Sequence, residues 1–163
     1  STDFDMWPGF SKAILMCLMV VGACAGSTGG GLKVARLLLI CKSLRRNIRK
    51  TLNPKKVQVI RNNESVVNEQ ILENTNAYLA AYVLILFISF VLISLDGFSM
   101  ETNFSAALSC FNNMGPGFAA AGPTCNYSGF SVVSKIVLSL DMLLGRLEIF
   151  PILVLFSRST WKR

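Results

Sequence analysis

Histidine is absent from this chain, and charged side chains make up only 15% of its 163 residues. The five cysteines form no CxxC pair, so the usual spacing of a zinc site is missing, and their odd number argues against a closed disulfide framework. We also find no nucleophile–base pair and no cluster of metal ligands in the sequence. These absences argue against an enzyme, a resident metal ion or a tightly bound cofactor.

Long apolar runs dominate what is present. Hydrophobic residues make up 52% of the chain and its mean hydropathy is +0.51, values typical of membrane proteins. Residues 77–95 form nineteen residues without a charge, enough to cross a hydrocarbon core of about 30 Å. Residues 13–31 and 136–156 are further candidate spans, although the first is rich in glycine and the second carries Asp141, Arg146 and Glu148.

Basic residues are concentrated in one connection between these spans. The net charge is +7, and residues 33–61 contain ten Lys or Arg and no acid. By the positive-inside rule this connection faces the cytoplasm, as does the basic C-terminus, and three crossings satisfy both constraints. A basic run such as residues 44–50 also occurs in nucleic-acid-binding proteins. Beside a span we interpret it as a topological signal that contacts anionic lipids, and we expect no nucleic acid partner.

The first candidate span is interrupted by glycine. Residues 22–31 read Gly-Ala-Cys-Ala-Gly-Ser-Thr-Gly-Gly-Gly, and we call this segment the glycine break. Gly22, Gly26 and Gly30 also fit the GxxxG pattern of close helix packing, which is the alternative interpretation. Five glycines in ten residues, each costing a helix about 1 kcal/mol, favour a true interruption of the helix. Such backbone is tolerated in a membrane where it is buried in protein or lines a watery cavity.

A second glycine-rich segment lies between the later spans. Residues 113–117 read Asn-Met-Gly-Pro-Gly, here called the glycine–proline loop, and they follow a short amphipathic stretch, residues 104–111. This layout matches a filter strand in which backbone carbonyls replace the hydration shell of a cation, with the preceding helix aiming its negative end at the ion. A plain Pro-Gly turn outside the membrane is the alternative, and the sequence alone leaves both open.

Arg146 lies in the middle of the last candidate span, where an ionisable residue needs a partner. Asp141 and Glu148 are five and two residues away, so neither is an i,i+3 or i,i+4 neighbour on the same helix. The partner must therefore belong to another element. Carbonyl oxygens freed by the glycine break are the candidates within this chain, and an acid elsewhere in the protein is the alternative.

The chain divides into three parts by composition. Residues 1–52 contain the broken span and a basic helical extension, residues 53–76 form a polar cytoplasmic linker, and residues 77–163 contain span, short helix, loop and span. Alternation over residues 57–67 predicts a small hairpin in the linker. Because the chain starts with Ser-Thr-Asp and has no initiator Met or signal peptide, we expect a fragment of a longer protein.

Three motifs, in this order, resemble the TrkH/KtrB family of cation transporters. They are residues 22–36, residues 109–117 (Ser-Cys-Phe-Asn-Asn-Met-Gly-Pro-Gly) and residues 144–151 (Leu-Gly-Arg-Leu-Glu-Ile-Phe-Pro). The resemblance covers the whole chain and is closer to the bacterial TrkH branch. It implies an all-α membrane fold of pore-loop repeats, of which this chain holds the end of the third and all of the fourth.

The resemblance also implies roles for particular residues. The fourth ion filter would consist of Asn113, Met114, Gly115, Pro116 and Gly117. The intramembrane loop that gates the pore would consist of Ala25, Gly26, Ser27, Thr28, Gly29, Gly30 and Gly31. Arg146 would contact that loop from the last helix.

The same resemblance predicts the protein's cargo and partners. Potassium or another monovalent cation would be the transported substrate, crossing the bacterial inner membrane with the C-terminus on the cytoplasmic side. The partners would be a TrkA-like or KtrA-like nucleotide-binding regulatory subunit, a second copy in a homodimer, and the lipid bilayer.

Two other kinds of protein remain compatible with the residues. One is an intramembrane enzyme that uses Asp141 or Glu148 as acid or base and the glycine break as an oxyanion site. The other is a membrane assembly subunit that packs through GxxxG contacts and conducts nothing. Measured ion flux without turnover chemistry would exclude the first, and three further pore-loop repeats upstream would argue against the second.

Overall fold

Five α-helices and one pair of short strands follow one another in the computed structural model, which describes residues 3–24, 26, 27, 29–53, 61, 62, 65–147 and 149. The helices are α1 (Gly9–Val21), α2 (Val34–Leu52), α3 (Glu69–Ile93), α4 (Met100–Asn112) and α5 (Val132–Leu147). Strands β1 (Arg61–Asn62) and β2 (Ser65–Val66) pair antiparallel inside the segment for which the sequence predicts a hairpin. The predicted all-α class is confirmed.

Serine side chains fix where two of the helices begin. At the start of α4 the Ser99 hydroxyl accepts a hydrogen bond from the Thr102 N–H, and at the start of α5 Ser131 accepts one from the Ser134 N–H. The Ser131 N–H in turn donates to the Asp96 carboxylate over 2.9 Å. Because Asp96 closes the 3₁₀ turn after α3, this bond ties the end of α3 to the start of α5.

Helix α3, the longest among the described residues, has the length and composition of a membrane span. Its 25 residues extend about 37 Å, and the most apolar 18-residue stretch within the segment Glu69–Asp96 has a mean hydropathy of 2.5. Within the described residues it is the one helix that meets both criteria, while α1, with 13 residues, is a shorter apolar helix. The predicted span 77–95 lies inside this segment. The final residues of the predicted span 136–156 lie outside the described part.

The short helix α4 occupies the centre of the molecule. It contacts α1, α3 and α5, and every residue from Ser105 to Asn112 is buried. Ala106 and Ala107 are fully buried, and their small side chains let the neighbouring helices approach closely. At 13 residues, about 20 Å, α4 is too short to cross a membrane. The fold therefore surrounds a short buried helix with α1, α3 and α5.

Candidate functional site

The glycine break is an excursion of the backbone between α1 and α2. Helix α1 ends at Val21 and α2 begins at Val34, so the predicted interruption is present and the GxxxG helix is not formed. The Ala23 carbonyl accepts a hydrogen bond from the Val34 N–H over 3.1 Å, which brings the two arms of the excursion together. Between them the described tip residues Cys24, Gly26 and Ser27 are exposed.

Positive φ angles explain why glycine is needed in this excursion. Gly22, Gly26 and Gly31 have φ angles of 71°, 82° and 87°, a backbone region that residues with a Cβ rarely adopt. Two residues of the predicted gating loop, Ala25 and Thr28, lie outside the described residues. Of the other five, Gly26 and Ser27 lie at the tip. Gly29, Gly30 and Gly31 lie on the stretch that leads back to α2, here called the returning arm.

The glycine–proline loop begins where α4 ends. Asn113 adopts a left-handed conformation with φ 56°, and the Met114 N–H donates to the Ser109 carbonyl over 3.0 Å. Gly115 has φ 102°, and nothing lies within 4 Å of the position its Cβ would occupy. Residues 113–116 are exposed, so the middle of the loop presents its backbone to the space beside the molecule.

Hydrogen bonds hold the far end of the glycine–proline loop. The Gly117 N–H donates to the Ala121 carbonyl over 2.7 Å, and the Phe118 N–H donates to the Ser105 hydroxyl over 2.9 Å. A Cβ at Gly117 would lie 3.1 Å from both the Ser105 hydroxyl and the Ala121 Cβ, so glycine permits this close return. The loop is thus fixed at both ends and open in the middle.

Tyr127 adds a side-chain contact to the open middle of this loop. Its hydroxyl donates a hydrogen bond to the Gly115 carbonyl over 3.0 Å. The ring packs against Phe130, with the ring centroids 5.4 Å apart. Sequence reasoning did not single out Tyr127, because twelve residues separate it from Gly115.

The two glycine-rich segments meet at the end of α4. A Cβ at Gly30 would lie 3.0 Å from the Phe111 carbonyl oxygen and 3.1 Å from the Gly145 carbonyl oxygen. A Cβ at Gly145 would overlap that same Phe111 oxygen. Asn113 adds a side-chain contact to α5, since its side-chain amide donates a hydrogen bond to the Met142 carbonyl over 3.2 Å. The glycine break, the end of α4 and α5 therefore approach one another through their backbones, and the Asn113 side chain joins the start of the glycine–proline loop to α5.

Gly145 was missed by sequence reasoning, although it precedes Arg146 in a motif that had been singled out. Arg146 itself is the last but one of the continuously described residues of α5 and is exposed. No hydrogen bond or ion pair joins its side chain to another described residue. The structure thus brings the residue beside Arg146 against the returning arm of the glycine break, and contact of the arginine with the loop stays a prediction.

Asp141 is the buried carboxyl of α5. One of its oxygens accepts a hydrogen bond from the Ser89 hydroxyl of α3 over 2.7 Å, and the other has no partner among the described residues. The adjoining cavity is lined by aliphatic side chains of α3 and α5, including Ile85, Leu92 and Leu140. Among the described residues that line this cavity, the environment supplies a helix-to-helix contact and no second carboxyl group. Within the described residues, no group of three or more His, Cys, Asp or Glu could hold a metal ion.

The segment before α1 contacts the backbone that follows the glycine–proline loop. Asp5 accepts a hydrogen bond from the Ala119 N–H over 3.0 Å, and its carboxylate lies against Gly122. Lys12 lies 3.6 Å from both Asp5 and Glu101, linking this segment to the first turn of α4. These contacts hold the N-terminal segment beside the outer end of the loop.

A long apolar span, a broken helix, and a short buried helix that leads into an open glycine loop together define an all-α membrane protein of the pore-loop class. A match to a family model is more specific. The model described as a cation transport protein, TrkH, matches residues 1–163. The chain belongs to the TrkH family.

Individual relatives agree with this assignment. The Trk system potassium uptake protein TrkH of Escherichia coli K12 is 36% identical over 156 residues, which cover 96% of this chain and 32% of that protein. TrkH of Halomonas elongata is 35% identical and is matched over 99% of this chain and 33% of its own length. The crystal structure of the potassium transporter TrkH from Vibrio parahaemolyticus, 32% identical, aligns with a TM-score of 0.87 over 99% of this chain and 34% of that one. The chain spans about a third of the length of these proteins.

Proposed function

We propose that this chain is part of a potassium uptake protein that conducts monovalent cations through a pore. The observation that carries the proposal is the glycine–proline loop, which starts at the end of a buried helix and presents exposed backbone around Gly115. Relatives named potassium uptake proteins or potassium transporters support potassium as the cargo. Transport would be permeation down the electrochemical gradient, without covalent chemistry, so we propose no enzymatic activity.

In this proposal the filter consists of Asn113, Met114, Gly115, Pro116 and Gly117. The C-terminal end of α4 carries a partial negative charge that favours a cation beside the loop. The fixed ends and open middle of the loop suit carbonyl coordination, which depends on preset backbone angles. Three more loops from elsewhere in the full-length protein would complete the ring of ligands.

The glycine break would serve as the gate. Its exposed tip and its returning arm, packed at the base of the glycine–proline loop, suit a segment that crosses the pore below the filter. Arg146 would hold this segment closed by hydrogen bonds to its carbonyls. Support comes from the neighbouring Gly145, whose carbonyl oxygen would lie 3.1 Å from a Cβ at Gly30.

The cytoplasmic face would bind a regulatory subunit of the TrkA or KtrA type, and the full-length protein would form a homodimer in the bacterial inner membrane. Helix α2 carries the exposed basic residues Arg45, Arg49 and Lys50, which suit an acidic docking surface. Its Arg46 is already engaged, since the guanidinium lies 2.9 Å from Glu69 at the start of α3. The C-terminus would lie on this same side.

Ion flux through Gly115 variants tests the proposed function. In liposomes that hold the full-length protein, we expect potassium flux without turnover chemistry, and Gly115→Ser should weaken the discrimination between potassium and sodium. Because a Cβ at Gly115 meets nothing within 4 Å, the substitution acts on backbone geometry without a clash. Gly97→Ser is the matched control, with φ 75°, equally open surroundings and a position outside the filter.

Two results would contradict this assignment. Unchanged selectivity in Gly115→Ser at normal expression would remove Gly115 from the filter. A full-length protein that inserts and folds but conducts no cation would favour the membrane assembly subunit.

A further inference from the structure

The returning arm of the glycine break is anchored by the side chain of Tyr78 in α3. The Tyr78 hydroxyl donates a hydrogen bond to the Gly31 carbonyl over 3.2 Å, across 47 residues of sequence. Tyr78 is only 1% exposed, and the Arg36 guanidinium lies 4.0 Å from the centre of its ring. The phenol therefore joins the arm to both α2 and α3. A buried hydroxyl–carbonyl pair of this kind is costly to break, because neither group regains water.

Asn112, the last residue of α4, packs against Gly31 of this arm and is itself held by hydrogen bonds to α1 and α3. Its side-chain amide donates to the Met19 carbonyl near the end of α1 over 2.7 Å, and its side-chain oxygen accepts from the Tyr82 hydroxyl over 3.2 Å. Asn112 and Tyr82 are both buried, and the Tyr82 ring packs edge-on against Phe111 with centroids 4.9 Å apart. Each polar group of the Asn112 side chain has a partner on a different helix.

Gly31 joins these two sets of contacts. A Cβ at Gly31 would overlap the Asn112 side-chain oxygen and would lie 3.0 Å from its Cγ. With φ 87° and its carbonyl bonded to Tyr78, Gly31 is constrained by both side chains at once. Asn112 directly precedes the glycine–proline loop. The position of the returning arm is therefore defined by groups that also fix the start of that loop.

We propose that Tyr78, Tyr82 and Asn112 are positioning residues that hold the glycine break below the glycine–proline loop. They form a hydrogen-bonded bracket through which α3 sets the resting position of the arm. The proposal rests on the proposed function, in which the glycine break gates the pore. It adds that the closed position depends on α3, so loss of the Tyr78 hydroxyl releases the glycine break and leaves the filter intact.

The position of the glycine break can be followed through Cys24, which lies exposed at its tip. In the full-length protein with Cys24 as the sole cysteine, a membrane-impermeant thiol reagent is applied from the cytoplasmic side and the rate of labelling is measured. We expect Tyr78→Phe and Tyr82→Phe each to raise the rate by about two- to ten-fold, the range by which one hydrogen bond shifts an equilibrium. Both variants keep the aromatic ring, so the contacts with Arg36 and Phe111 remain.

Two matched variants separate release of the loop from general loosening. Tyr127→Phe removes the third tyrosine hydroxyl of the chain, which bonds to the Gly115 carbonyl and makes no contact with the glycine break among the described hydrogen bonds. Phe87→Leu alters an exposed ring on α3 itself. We expect both to leave the Cys24 labelling rate within about two-fold of the parent. Tyr127→Phe should instead change the ratio of potassium to sodium flux, whereas Tyr78→Phe should raise resting flux at an unchanged ratio.

The labelling measurement keeps this proposal separate from the proposed function. If the parent protein conducts no ions, the function fails, yet a higher Cys24 rate in Tyr78→Phe and Tyr82→Phe still supports the bracket. If Cys24 in Tyr78→Phe is labelled at the same rate as in the parent, the bracket is overturned even when the parent conducts potassium. An equal increase in Tyr127→Phe also overturns it, because the effect would then not depend on contact with the arm.

Discussion

Gly145 marks the point where the backbone of α5 crosses the end of α4. Since a Cβ there would overlap the Phe111 carbonyl oxygen, Gly145→Ala must separate the two helices, and overpacking of this kind typically costs about 1–3 kcal/mol. We expect a lower melting temperature of the full-length protein in detergent. Gly9→Ala is the control, because its Cβ would meet nothing within 4 Å. Equal melting temperatures for the two variants would mean that α5 does not pack on α4 as described.

Arg146, one residue further along, provides a prediction about gating. If its guanidinium donates to carbonyls of the glycine break in the closed pore, each charge-assisted bond contributes about 1.5–3 kcal/mol, enough to shift an open–closed balance about ten-fold or more. Arg146→Ala should therefore raise resting cation flux, as should shortening the loop within residues 26–30. Lys135→Ala, in the first turn of α5, is the control. Flux that falls in both gate variants despite normal folding would contradict this role, as would a loop deletion that conducts like the parent.

Residue-level prediction from the sequence succeeded where the information is local. Glycine clustering correctly predicted the interruption between α1 and α2, because backbone preference is a property of the residues themselves. The partners of Asn112 could not be predicted in this way, since Tyr82 and Met19 are 30 and 93 residues away. Such contacts depend on how α1, α3 and α4 pack, and no spacing pattern within one helix encodes them.

At the scale of elements, local capping explains the small differences between sequence and structure. The amphipathic pattern predicts a short helix over residues 104–111, and α4 extends back to Met100 because Ser99 caps it. Apolar composition predicts a span starting at residue 77 and the polar residues 68–76 are helical in composition, and α3 accordingly runs without a break from Glu69. Hydropathy thus finds the apolar part of a helix, and polar caps decide where the helix begins.

Helix α2 carries the prediction about the regulatory subunit. Replacing Arg45, Arg46, Arg49 and Lys50 by glutamine should weaken binding of a TrkA-like or KtrA-like subunit in a pull-down, because the exposed charges that would meet an acidic partner are lost. Arg46→Gln alone is the matched control, since this side chain is paired with Glu69. Orientation in the membrane should be kept by the remaining basic residues. If the variant with all four substitutions inserts correctly and binds the subunit as well as the parent does, these charges have a topological role alone.

At the scale of the whole molecule, several surfaces of this chain are exposed although they are apolar or carry loop backbone. An apolar cavity between α1 and the glycine–proline loop, of about 230 Å³, is lined by side chains that include Leu15, Met114 and Pro116. Residues 113–116 are exposed beside it, and α3 carries the exposed apolar side chains Val83, Leu84 and Phe87. Lipid covers exposed apolar side chains in a membrane, whereas the proposed carbonyl filter would need further ligands around the ion.

The isolated chain should therefore insert into a membrane and still conduct no ions selectively. Carbonyl selection depends on a ring of loops, and this chain spans about a third of the relatives it matches, with one such loop among its described residues. In liposomes of equal protein content we expect potassium flux from the full-length protein and none above empty vesicles from residues 1–163, with circular dichroism confirming that the chain is helical. Arg146→Ala and deletions in the glycine break should not change this result, because a gate has no effect where no filter is assembled. Potassium-selective flux from the helical chain as a monomer would show that one loop suffices, and the four-loop filter would have to be abandoned.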